Sequence, residues 1–151
     1  MLDELANEFF REFARAEYCL KAVGFCVTTR RDAQADWSAF SNSVQDILER
    51  PVDAELSAAI KYFNQNPPRK QINDGGRLQW DSVAAGGKHA ADDILILVRR
   101  VRNNLFHGGK FNGHWFEPER SESLLRCALT ILRASINANP QTKDAYTQQA
   151  V

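Results

Sequence analysis

His89-Ala90-Ala91-Asp92-Asp93-Ile94-Leu95-Ile96-Leu97-Val98-Arg99-Arg100-Val101-Arg102-Asn103-Asn104-Leu105-Phe106 is the stretch that decides the fold. Ile94, Leu95, Leu97, Val98, Val101 and Leu105 recur at helical spacing, and residues 94–98 are apolar nearly all round. A helix of that kind belongs in the middle of a bundle, where more than one face is covered. Gly108-Gly109 then supplies a left-handed stop.

Working outward, the same period appears on both sides. Leu5, Phe9, Phe13, Ala16, Leu20 and Val23 predict a first helix over residues 3–23, with Gly24 as its stop. Trp37, Phe40, Val44, Ile47 and Leu48 predict a second over 36–49, closed by Pro51. Asp53 is placed to cap a third that carries Leu56, Ile60 and Phe63 and ends before Pro67-Pro68. Leu124, Leu125, Ala128, Leu129, Ile131 and Leu132 predict a last helix that starts at Ser121 or Ser123 and ends at Asn139-Pro140. Residues 64–87 have no clear period, hold two Gly-Gly pairs and a lone Trp80, and read as a long loop with room for a short helix or hairpin. The expectation is an all-α fold, a helical bundle of about five helices over residues 1–139, followed by a polar, frayed tail over 140–151.

Composition narrows the function. A chain of 151 residues, 44% hydrophobic and 25% charged, has the profile of one globular domain and not of a disordered segment. It contains no apolar run long enough for a membrane span, so no membrane partner is expected. Its acidic first residues lack the pattern of a secretory signal. Three cysteines, Cys19, Cys26 and Cys127, with no Cys-x-x-Cys pair, fit reduced thiols and a cytoplasmic location. Nineteen basic residues balance nineteen acidic ones, so any nucleic-acid contact must come from a local patch.

That patch follows the central helix. Between Ile94 and Phe116 there is no acidic residue, while Arg99, Arg100, Arg102 and Lys110 concentrate positive charge that draws an anion. His89, His107 and His114 lack the spacing of a helical metal site, so no metal and no cofactor are expected. Gly86-Gly87-Lys88-His89 lacks the first glycine and the final hydroxyl of a phosphate loop. Arg102 and His107 are the pair with chemistry: a guanidinium fork for phosphoryl oxygens and an imidazole that moves a proton near neutrality. Together they suit RNA cleavage in which the substrate's own 2′-hydroxyl is the nucleophile. On an ideal helix the two side chains point about 140° apart. They converge where the glycines unwind the last turn, or where a second copy of the chain supplies the missing half. Helix capping by both residues, facing water, is the plainer alternative. In the long loop, Arg69, Lys70, Arg77 and Trp80 suit tracking and stacking of single-stranded RNA, with Trp80 as a lid over the core the alternative.

Arg102-Asn103-Asn104-Leu105-Phe106-His107, followed by Gly108-Gly109-Lys110, resembles the Arg-Asn-x-x-x-His motif of HEPN domains, the higher eukaryote and prokaryote nucleotide-binding family. The resemblance implies a HEPN-like helical bundle that homodimerises, with a cleft lined by the motif from both subunits. It implies a metal-independent endoribonuclease in a toxin–antitoxin or antiphage defence system, with RNA as substrate and an antitoxin or defence protein as partner. Arg102 and His107 would then be catalytic, Asn103 would orient the histidine or the phosphate, and Arg99, Arg100 and Lys110 would bind RNA. Some members carry an early glutamate and lysine, which Glu17 and Lys21 resemble; a solvated helix pair is the alternative. Members paired with a nucleotidyltransferase antitoxin carry a Tyr two residues after the His, where this chain has Gly109. Catalytically inactive HEPN modules that bind RNA, a nucleotide or a protein also fit, as does a helical protein whose basic patch meets an acidic partner.

Overall fold

The computed structural model describes residues 2–106, 110–111, 114–115 and 117–148. Those residues form seven helices and two small hairpins: α1 (Leu2–Ala22), α2 (Trp37–Ser43), α3 (Gln45–Glu49), α4 (Ala54–Gln65), β1 (Lys70–Asp74), β2 (Arg77–Asp81), α5 (Ala90–Phe106), β3 (Lys110–Phe111), β4 (His114–Trp115), α6 (Pro118–Ala138) and α7 (Pro140–Gln148). The fold is predominantly helical, as the periodicity predicts.

Helix α5 is central: it packs against α1, α2, α3, α4, α6 and β1. Leu95 and Val98 are fully buried, with Ile94, Leu97 and Val101 nearly so. They meet Phe9, Phe13 and Leu20 of α1, Phe40 of α2, Phe63 of α4 and Leu125 and Ile131 of α6 in one continuous core. Phe13 stacks on Trp37 at 5.4 Å between ring centroids, and Trp37 meets Phe40 edge-on at 6.1 Å. These aromatic contacts join α1 to α2 beside the core.

Three expectations need correction, and one left open is settled. The segment 36–49 is two helices, interrupted at Val44. Ser41 and Ser43 turn their hydroxyls onto the carbonyls of Ser38 and Phe40, and the Val44 amide bonds the Ser41 carbonyl, a tighter turn than an α-helix makes. Helix α6 starts at Pro118, not at Ser121 or Ser123. Proline fits the first helical position, where no amide donor is needed, and Glu117 ahead of it takes a left-handed conformation. The region 64–87, read as a loop with room for a short helix or hairpin, takes the hairpin, β1–β2. Gly75 and Gly76 both have positive φ, as a two-residue turn between strands of this twist requires, and the Gly76 amide bonds Asn73 Oδ1. Finally, residues 140–148 are not frayed but form α7. Thr142 is fully buried with its hydroxyl on the Ile136 carbonyl, and Arg15 of α1 sits 4.2 Å from the Tyr146 ring and donates to the Tyr146 carbonyl.

The start of α5 is locked by carboxylates. The Gly87 amide donates to Asp93 Oδ1 at 2.7 Å and the Lys88 amide to Asp92 Oδ2 at 3.0 Å. Asp92 is buried and also accepts from Ser41 Oγ, while Glu49 accepts from the Ala91 amide. His89 caps the helix by accepting from the Asp92 amide at Nδ1, with Nε2 2.7 Å from Asn42 Oδ1. The Gly87 and Lys88 amides thus serve an internal cap in place of a phosphate. A Cβ on Gly87 would lie 2.6 Å from Asp93 Oδ1 and 2.9 Å from the Asp93 amide nitrogen. Gly87→Ala should therefore cost about 1–3 kcal/mol, read as a lower urea midpoint with unchanged slope.

Candidate functional site

The last two turns of α5 are apolar toward the core and polar outside. Arg102 is half-buried and Asn103 exposed, and Arg102 Nη1 donates to Asn103 Oδ1 at 3.0 Å. Both line an open, polar cleft of about 470 Å³ between α1 and α5. Its other charged residues are Glu17 and Lys21 of α1 and Arg99 of α5, so three cations surround one carboxylate. The Arg102 guanidinium lies 5.7 Å from the Phe13 ring centroid and that of Arg99 5.8 Å from the Trp37 ring, positions in which an aromatic face favours a cation. Glu17 is held by Trp37 Nε1–H at 2.9 Å. Partial burial pulls the pKa of Arg99 down, and the charges of Asp92 and Glu17 oppose that shift.

The structure thus joins Arg99, Arg102 and Asn103 with Glu17 and Lys21, the pair on the first helix. A third wall, Ala33–Gln34–Ala35, comes from the loop between α1 and α2, which is pinned by a bridge from Cys26 to Ala35 and a Val27–Gln34 hydrogen bond. Nothing in the periodicity of that loop marks it as part of a site. His107 lies outside the described residues, as do Gly108 and Gly109. Lys110 opens β3.

Arg100 is not part of this cleft: it lines a neighbouring one with Lys70 and Arg99, and most of its side chain is engaged inside the protein. It is 8% exposed, and its Nη1 donates to the carbonyls of Val83 at 2.6 Å and Pro68 at 3.3 Å. Two distant loop segments need a donor, and the guanidinium fork supplies it. Burial lowers its pKa. Arg100 therefore clips both ends of the β1–β2 arm to α5. Asn104 and Arg120 extend the clip by donating to the carbonyls of Arg69 and Pro67, each at 2.7 Å.

Among the described residues, no group of three or more His, Cys, Asp or Glu is placed to hold a metal ion, and no helix is long and apolar enough to cross a membrane. No family model, curated protein or solved structure significantly matches this chain.

Arg100→Ala separates the two roles. A clip leaves the Val83 and Pro68 carbonyls without a donor when removed, so stability should fall by about 1–3 kcal/mol in urea unfolding. Limited proteolysis should then cut residues 68–85 faster. A phosphate contact would leave both unchanged.

Proposed function

We propose that this chain is a metal-independent endoribonuclease of the HEPN type that acts as a homodimer in a toxin–antitoxin or antiphage defence setting. The observation that carries the reading is the polar cleft in which Arg102 and Asn103, the first two residues of the Arg-Asn-x-x-x-His motif, meet Lys21 and Arg99 around Glu17. Such a cleft concentrates an anionic substrate on a chain of zero net charge.

The chemistry follows from the residue types. A ribose 2′-hydroxyl attacks the adjacent phosphorus and the bond to the 5′-oxygen breaks. His107 takes the 2′-hydroxyl proton, and the His107 of the second copy returns one to the leaving oxygen. Arg102 stabilises the charge that builds on the non-bridging oxygens. Asn103, bonded to Arg102, holds the guanidinium in place. The products are a 2′,3′-cyclic phosphate and a 5′-hydroxyl.

The test is RNA cleavage by purified protein in EDTA. Arg102→Ala should lower the rate about 10²- to 10³-fold and His107→Ala about 10²- to 10⁴-fold, with cyclic phosphate ends from the wild type. Undiminished cleavage by His107→Ala, or 3′-hydroxyl ends, would remove the mechanism. Salt-sensitive binding without cleavage, indifferent to His107→Ala, would assign the chain to the non-catalytic modules instead.

A further inference from the structure

The Arg102 cleft is one of three that follow each other round the exposed side of α5. Arg99 and Asn103 line it and also a second cleft of about 350 Å³, which extends to Lys70 and Gln71 of the hairpin. Asn104 lines that second cleft and a third of about 380 Å³ between the hairpin and α6. Successive residues step about 100° round a helix, so residues 102–104 lead from one cleft to the next.

The three differ in chemistry. The middle cleft has no acidic residue among its described lining, and Lys70 and Arg99 stand on it. The third is floored by Val101, Leu105, Leu124 and Leu125 and walled by the half-buried Trp80. Its rim is polar: Arg120 is tied to the Pro67 carbonyl, Arg69 faces Glu117 at 3.6 Å, and Asn104 holds the Arg69 carbonyl. An apolar floor, an indole wall and a rim carrying both donors and acceptors match a flat heteroaromatic ring with a polar edge. A lipid chain would leave the rim unmatched.

We infer that the third cleft is a nucleobase pocket, which takes one unpaired base of a single-stranded RNA whose backbone crosses the Lys70–Arg99 cleft and whose phosphate lies at Arg102. This assignment rests on the RNA reading of the Arg102 cleft and adds to it the substrate form. A base paired in a duplex would first have to leave its stack, which costs free energy, so the pocket favours a substrate that is single-stranded there. Trp80 is the stacking platform and Lys70 a phosphate contact.

The experiment uses a fluorescein-labelled 2′-O-methyl oligouridine, which lacks the attacking hydroxyl and stays intact, with binding read by anisotropy. Trp80→Ala should weaken binding about 5- to 150-fold, and Trp80→Phe should retain most of the affinity. Lys70→Ala should lessen the salt slope by about 0.7. An abasic site, moved along the oligonucleotide, should weaken wild-type binding at one position by the factor seen for Trp80→Ala, and should have no further effect on that variant. Such coupling is beyond a merely structural Trp80. Equal binding by wild type and a folded Trp80→Ala, a flat abasic scan, or no binding of the oligonucleotide overturns the pocket. Coupling in a protein whose cleavage ignores His107 supports the pocket while the nuclease reading fails. His107-dependent cleavage without coupling does the reverse.

Discussion

Burial of one arc of α5 governs the arrangement of the rest. Ile94, Leu95, Val98 and Val101 are all held in the core. At about 100° per residue, that puts Asn103 on the far side, Arg99 on the flank and Arg102 at the edge of the buried arc, against Phe13 of α1. No other orientation buries the apolar stripe, since a rotation by one residue would trade Val98 for Arg99. The cluster of cations in the Arg102 cleft is therefore a consequence of core packing. Whatever the cleft binds, the apolar residues behind it aim the groups that do the binding.

Both flanks of α5 are then fixed by polar contacts of long sequence separation. At its start, Glu49 and Ser41 reach across from α3 and α2 to meet the Ala91 amide and the Asp92 carboxylate. Further along, Arg100 binds carbonyls 32 and 17 residues away. These contacts place carboxylates at the positive end of the helix and leave Arg99 and Arg102 beyond its middle, an order that suits the helix dipole. They also explain how a chain of zero net charge carries a positive cleft. Glu8 and Glu12 pair with Arg133, and Asp46 and Glu122 pair with Arg50 and Arg126 one turn away on their own helices. The acids are engaged on other faces.

The helices that bury a regular stripe were legible in the sequence. Residues 3–22, 54–65 and 90–106 read as helices because Phe9, Phe63 and Leu95 repeat with their neighbours at the right spacing, and Asp53 caps α4 through the Leu56 amide as its position suggests. Helix α7 was not legible. Apart from Thr142 it buries little, and it is held by the Tyr146 hydroxyl on Glu12 and the Arg15 contact, both more than 130 residues away in the chain. The hairpin was only half legible: Gly75-Gly76 marks a turn, but its strands are mostly exposed, so no alternation of apolar and polar residues shows. The site divides in the same way. Arg102 and Asn103 stand out as a motif, whereas the burial of Arg100 depends on two carbonyls that leave no trace in side-chain identity. The convergence of Glu17 and Lys21 on Arg102 needs α1 packed against α5, which no local pattern encodes.

Glu17 is the residue in the cleft whose charge runs against anion binding, and its place has a physical reason. Arg99 is partly withdrawn from water, and that burial disfavours its charged form. Glu17 and Asp92 offset the penalty from two sides, one in the cleft and one at the buried helix start. Glu17 also accepts the Trp37 indole hydrogen bond, which fixes the ring beside the Arg99 guanidinium. An acid-free cleft would hold more positive charge on paper, but Asp92 alone would then offset the burial of Arg99, and its aromatic neighbour would lose its anchor. A single carboxylate among three cations keeps the excess positive while holding the Trp37 ring beside the Arg99 guanidinium. The arrangement of this cationic cleft thus depends on an acid that lowers its positive charge.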